Sequence, residues 1–191
     1  MKREQLFSKE QNGKTYLVSE DYSYKSLSYY RIIENEINGK MTIPSTKETL
    51  EAFIVPLCLE KARRNGIPTC SWEISYGYAP IPSIVYGIHY YSDPSEYSIV
   101  RDAEVAKEII KHITNHGRYP FCYEPITESS EIVTVFSIFG LTTAGTYEVK
   151  TLAENVYRTF KIPVLELILV YESDSYSLAC LTTAKYLKLS K

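Results

Sequence analysis

Long hydrophobic runs are missing from this chain. No stretch of the 191 residues approaches the roughly 18 apolar residues of a membrane-spanning helix. The longest apolar segment, IPVLELILVY at 162–171, is interrupted by Glu166 and has the length of a strand. The opening MKREQLFSKEQNGK lacks the apolar core of a secretory signal. A basic excess is missing too. Against 21 Lys and Arg stand 23 Asp and Glu, a net charge of -2 that argues against a dedicated nucleic-acid binder. The one basic run is KARR at 61–64. The eight glycines are scattered singly, with neither a GxGxxG nor a GxxxxGK[ST] run to cradle phosphate, and there is no GxSxG nucleophile elbow. Cysteine is sparse: Cys58, Cys70, Cys122 and Cys180 stand apart in apolar stretches, the pattern expected of reduced, buried thiols in a cytoplasmic protein.

What is present describes a globular domain. Hydrophobic residues make up 45% and charged residues 23%, enough for a packed core without staples. Tyrosine outnumbers phenylalanine 18 to 6, which suits half-buried sheets and binding surfaces without identifying one. The spacing predicts a mixed α/β, or α+β, domain over 1–191, with a central sheet, amphipathic helices packed on it and a C-terminal β-hairpin. Residues 1–14 are expected to fray around an NGK turn, before a strand at 15–19.

Leu27, Tyr30, Ile33 and Ile37 recur at helical spacing, predicting a helix over about 26–38 with that stripe inward and Ser26 or Ser23 as its cap. Ser45 and Glu48 have capping-box spacing at the head of a second helix, whose expected inner stripe is Leu50, Phe53, Ile54, Leu57 and Ala62. Pro56 should kink or break it near 52–55. Residues 67–100 read as short β-runs punctuated by Pro, Gly and Tyr. Asp102 caps a helix on Ala106, Ile109, Ile110 and Ile113. IVTVFSIFG at 132–140 has the apolar character of a central strand. A further helix carries Val149, Leu152, Ala153, Val156 and Phe160, and two strands around the turn SDS close the chain.

Few residues carry recognisable chemistry. His112 and His116 have an i,i+4 spacing that can bind zinc, but position near a helix end accounts for them, so no metal site is assigned. His89 reads as a packed residue within an aromatic run. Arg118, among Tyr119, Phe121 and Tyr123, could stack on a planar ligand, with an extended aromatic strand as the plainer reading. Tyr24, Ser26 and Tyr29 are the residues of the first helix start that packing explains least. With Arg118 they form the candidate ligand or partner surface; Trp72, Tyr86 and His89 in the aromatic middle are weaker candidates. No catalytic residue and no cofactor are assigned.

Two segments carry a resemblance. YKSLSYYRIIENEINGKMTIPS resembles the signature of the RimK-like ATP-grasp N-terminal domain through Tyr24, Ser26, Tyr29, Tyr30, Glu34, Pro44 and Ser45, with Ser28 where that family has Gly. FSIFGLTTAGTYEVKTLAENVYRTFKIPVLELIL is similar to a second part of it through Phe139, Gly140, Leu152, Ala153, Phe160, Pro163 and Leu165. Residues 66–126 match nothing in the pattern and read as an atypical insertion. The resemblance implies an α+β module associated with ligases that join an amine to a carboxylate using ATP. It further implies a stand-alone copy acting as an accessory or substrate-recognition subunit, with a separately encoded ATP-grasp ligase as partner. The alternatives are a small-molecule enzyme with its site around Trp72, Tyr76, Tyr78, Tyr86, His89, Tyr90 and Tyr91, or a homo-oligomeric binding protein using its tyrosine-rich faces.

Overall fold

The computed structural model describes residues 6–24, 26–89, 92, 96–143 and 145–185. Its first unit is a small sheet of β1 (Leu6–Gln11), β2 (Lys14–Ser19) and β3 (Met41–Ile43), in that order. Strand β1 pairs antiparallel with β2 across Asn12-Gly13, both at positive φ, so the expected fraying is corrected from Leu6 onward.

Between β2 and β3 runs helix α1 (Leu27–Ile37), capped by Ser26, whose Oγ accepts from the Tyr29 amide at 3.1 Å. Its inner face differs from the predicted stripe. Ser28 and Ile32 are buried, while Leu27, Tyr30 and Ile37 are 49%, 59% and 80% exposed. Hydrogen bonds turn the helix: Ser28 Oγ donates to the Asp21 carbonyl and Ser26 Oγ to the Ser23 carbonyl, so the serine face points inward. Glu36 holds the other end, accepting from Thr42 Oγ1 at 3.1 Å and the Thr46 amide at 2.8 Å.

Helices α2 (Thr46–Phe53) and α3 (Val55–Arg64) come from one apolar pattern split at Ile54, two residues before Pro56. The full capping box of Ser45 and Glu48 starts α2. The break resets the helical phase, so Cys58 and Leu59 are buried and Leu57 is exposed, which corrects the single stripe expected there.

Residues 66–126 build a four-stranded antiparallel sheet in the order β4-β7-β5-β6, from β4 (Glu73–Ser75), β5 (Ser83–Gly87), β6 (Ser98–Val100) and β7 (Phe121–Pro125). Helix α4 (Ala103–Ile113), capped by Asp102, covers one face of it through Ala106 and Ile110 against Val85, Phe121 and Tyr123.

The third sheet, β10-β9-β8, is also antiparallel: β8 (Glu131–Ile138), β9 (Val164–Glu172) and β10 (Ser175–Thr182). Strand β8 lies at its edge and β9 at its centre, correcting the central position expected for residues 132–140. Every residue from Val164 to Val170 is buried. The β9–β10 turn, Ser173-Asp174, has positive φ at both residues, the geometry of a tight two-residue hairpin. Helix α5 (Tyr147–Phe160) lays its predicted stripe on one face of this sheet, against Leu165, Leu167 and Leu169. Tyr22 joins the same core fully buried, its ring stacked 6.4 Å from Phe53 and its hydroxyl donating to the Leu17 carbonyl. The opposite face carries Ile168, Val170 and Cys180, and meets Ile84, Tyr86 and Cys122 of the four-stranded sheet. The α+β class and the C-terminal hairpin are as the sequence implied.

Candidate functional site

Strand β5 alternates its side chains between two layers. Ile84 and Tyr86 point toward the β8–β9–β10 sheet, and Val85 points toward α4. Where β5 ends, both layers open into a trough. Its first part, about 220 Å³, lies beside the α2–α3 break and is walled by Phe53, Ile54, Val55, Tyr24 and Tyr86. Its second part, about 650 Å³, runs along β6 and the last turns of α4. Gly87, His89, Ser92 and Glu96 line both parts.

Gly87 is a spatial requirement at this junction: a Cβ there would stand 2.8 Å from Ser92 Cβ. His89 is held by contacts with several described residues. Its ring stacks on Tyr119 with centroids 4.6 Å apart, and Ser92 Oγ donates to its carbonyl at 2.6 Å. Its Nε2 lies 2.8 Å from the Ile113 carbonyl, which can only accept, so that nitrogen carries hydrogen. His112 and His116 line the second part. His116 lies beyond α4 at φ 59°, so the two do not form a helical i,i+4 pair. Among the described residues, no group of three or more His, Cys, Asp or Glu is arranged to hold a metal ion. The described lining of the trough contains two glutamates, Glu96 and Glu108, all three histidines of the chain, and neither lysine nor arginine. An apolar floor beneath a polar, carboxylate-bearing rim suits an apolar or aromatic group attached to a neutral or cationic head.

Three of the sequence candidates meet here: Tyr24, Tyr86 and His89. The others do not line it. Ser26 is spent on the α1 cap, and Tyr29 is half-buried against Tyr30, its hydroxyl made less acidic first by burial and then by Glu36. Trp72 packs on the apolar layer between the two sheets. Arg118 is exposed, and its neighbour Tyr119 makes the stack on His89. Of the aromatic-middle alternative, Tyr76 and Tyr78 are exposed, while Tyr90 and Tyr91 lie outside the described residues.

One functional group was missed by sequence reasoning. Behind Tyr86 lies Glu124, fully buried between the sheets. Among the described residues, neither its two oxygens nor the Tyr86 hydroxyl makes a hydrogen bond of good geometry, although the Tyr86 hydroxyl and the Cys70 thiol lie close enough to act on the carboxyl as weak donors. Burial drives the Glu124 carboxyl far above the ordinary carboxylate range, outweighing the opposite pull of Tyr86 and the Cys70 thiol. Burial and the Glu124 carboxyl also push Cys58, Cys70, Cys122 and Cys180 upward, keeping these thiols protonated and unreactive. The signal was alternation: in FCYEP, Phe121 and Tyr123 share one face, so Cys122 and Glu124 had to share the other.

Neither the family models nor the curated proteins give a match to this sequence. Solved structures do. The chain is similar to a RimK-domain ATP-grasp protein from Sphaerobacter thermophilus, with a TM-score of 0.61 and 13% identity over 84% of this chain and 72% of that one. It is also similar to a D-alanine–D-alanine ligase from Bacillus anthracis, with a TM-score of 0.59 and 11% identity over 85% of this chain and 65% of the ligase. A third likeness is to the ATP-grasp ligase PsnB, solved with precursor peptide PsnA2 and AMPPNP: TM-score 0.56, 11% identity, 99% of this chain and 78% of that one. The chain thus spans about two thirds of the length of the D-alanine–D-alanine ligase. At these identities the likeness establishes the fold, which is that of ATP-grasp proteins. Among the described residues, no helix is long and apolar enough to cross a membrane.

Proposed function

We propose that this chain is a non-catalytic recognition module on an ATP-grasp fold, working with a separately encoded ATP-grasp ligase that joins an amine to a carboxylate. The observation that carries the reading is the filled space between its two larger sheets. Tyr86, Cys122 and Glu124 meet Ile168, Val170 and Cys180 there as a buried layer. The trough at the edge of that layer presents Glu96 and Glu108, whereas a bound triphosphate needs cationic side chains, metal or clustered backbone N–H groups. The residues of the trough therefore do not fit ATP, the nucleotide whose analogue AMPPNP accompanies PsnB, and no step through ATP is assigned to this chain. They fit a side chain or small group of a substrate presented to the ligase. The precursor peptide bound by PsnB supports a peptide as that substrate.

A second reading, a stand-alone small-molecule enzyme, has one observation in its favour: the trough gathers Tyr24, Tyr86, His89 and Glu96 around a single opening. Turnover by the purified chain, assayed with and without ATP, separates the two. The accessory reading expects none from the chain alone, and expects faster product formation when the chain is added to an ATP-grasp ligase encoded beside it. Turnover by this chain alone, ATP-dependent or not, would sink the accessory reading.

A further inference from the structure

The described residues form three apolar cores, and these are unequally independent. Helix α5, α2 and Tyr22 pack on one face of the β8–β9–β10 sheet. Helix α4 packs on the outer face of the four-stranded sheet. Each of these cores involves only one of the two larger sheets. The layer between them, with Val55 and Leu59 of α3 at its margin, is the one built from both. Glu124 sits in that shared layer, on β7, fully buried, with no well-formed hydrogen bond to either oxygen among the described residues and only the Tyr86 hydroxyl and Cys70 thiol as weak donors nearby.

Every titratable neighbour of Glu124 in the shared layer is neutral in its ordinary form. These are Cys70 ahead of β4, Tyr86 on β5, Cys122 on β7 and Cys180 on β10, while Cys58 on α3, also neutral, lies in the core on the α5 side and feels the carboxyl from there. Further charges act at the margin: Lys61 reaches Cys58 and Glu172 reaches Cys70, while Glu166 of β9 shares the face of Ile168 and has interactions of its own. Among the described residues, none of the groups acting on Glu124 itself is a cation. A carboxylate formed in this layer would be an uncompensated buried charge, and separating the sheets to admit water is the means of solvating it.

We propose that the seam between the two larger sheets is a proton-controlled joint, closed while the Glu124 carboxyl is neutral and parting when it ionises. The two outer cores persist in the parted form, because neither includes Glu124. Parting exposes Cys122 and Cys180 and widens the first part of the trough, whose wall includes Val55 and Tyr86 from the seam. The sign follows from proton counting. Glu124 is protonated in the closed form and has an ordinary carboxyl value near 4.5 once solvated, so the closed form holds one more proton between that value and its raised one. Opening therefore becomes about tenfold more favourable per pH unit across that range.

The test is maleimide labelling of the full chain from pH 6 to 9, with each cysteine resolved by mass spectrometry. Rates are normalised at each pH to the chain unfolded in guanidinium, which removes the intrinsic thiolate dependence. The expected result is protection of Cys122 and Cys180 falling toward tenfold per pH unit, and a flat profile in Glu124→Gln. Protection independent of pH in the natural chain, or an unchanged slope in Glu124→Gln, overturns the joint. Hydrogen exchange on the natural chain, corrected for intrinsic rates, needs no variant. Amides of β5 and β7 should lose protection with rising pH while those of α5 keep theirs; simultaneous loss everywhere would mark global unfolding and overturn it equally.

Discussion

The two faces of the β8–β9–β10 sheet are made from alternate residues of the same strands, yet they are built on different principles. Toward α5 the sheet presents Leu165, Leu167 and Leu169 to Leu152, Val156 and Phe160, all apolar and without a polar atom to satisfy. Toward the four-stranded sheet it presents Ile168, Val170 and Cys180 to a layer holding Tyr86, the thiols of Cys70 and Cys122, and the buried Glu124, which has no well-formed hydrogen bond. The first face is a foundation, where stability comes from area and fit. The second carries a standing penalty, because a buried polar group without a partner costs about 1–3 kcal/mol. Natural folds tend to keep such penalties where something moves or binds.

Substitutions can sharpen that contrast. Phe160→Ala removes a fully buried ring from the foundation and should cost about 3–5 kcal/mol in urea unfolding. A loss below about 1 kcal/mol would mean that α5 does not hold this face. Ile32→Ala, on the corrected inner face of α1, should cost about 2–4 kcal/mol by the same measurement.

On the seam the sign reverses. Glu124→Met, similar in volume and free of polar groups needing partners, should stabilise by about 1–3 kcal/mol at pH 8 and by less at pH 5. The gap widens with pH because the unfolded natural chain ionises above about 4.5 while the folded one resists. Equal stability of the two chains at pH 8 would remove the penalty from the seam. At the helix ends the effects shrink: Ser45→Ala should lose about 1 kcal/mol, read as a lower thermal midpoint, through the α2 capping box. Smallest of all, Tyr30→Ala should stay within about 0.5 kcal/mol, since Tyr30 is 59% exposed. A cost like that of Ile32→Ala would restore the stripe expected from helical spacing.

Much of the fold was legible. The α5 stripe, the capping box, the break before Pro56, the α4 cap and the terminal hairpin each follow from a local rule. The inner face of α1 was not, because the serines that turn it bond to carbonyls at Ser23 and Asp21, and hydropathy does not weigh such bonds. Nor was the edge position of β8, since apolar composition reports burial and not strand order. Of the candidate site, Tyr24, Tyr86 and His89 were singled out separately, but nothing in their spacing joined them. Glu124 passed unnoticed as one carboxylate among many, as alternation within a five-residue strand says which residues share a face and not what that face meets.

The sequence by itself determined the helices, their caps and the longer strands, though not β1 or β3, and which function classes the composition argues against. Those are properties of periodicity, capping and charge over a few residues at a time. Only the tertiary structure decided that two sheets close over one carboxyl group, that four distant cysteines surround it, and that a trough opens where β5 ends. These depend on strand order and sheet contact, which bring together residues as far apart in sequence as Cys58 and Cys180. The burial that keeps Glu124 neutral exists only once both sheets are in place.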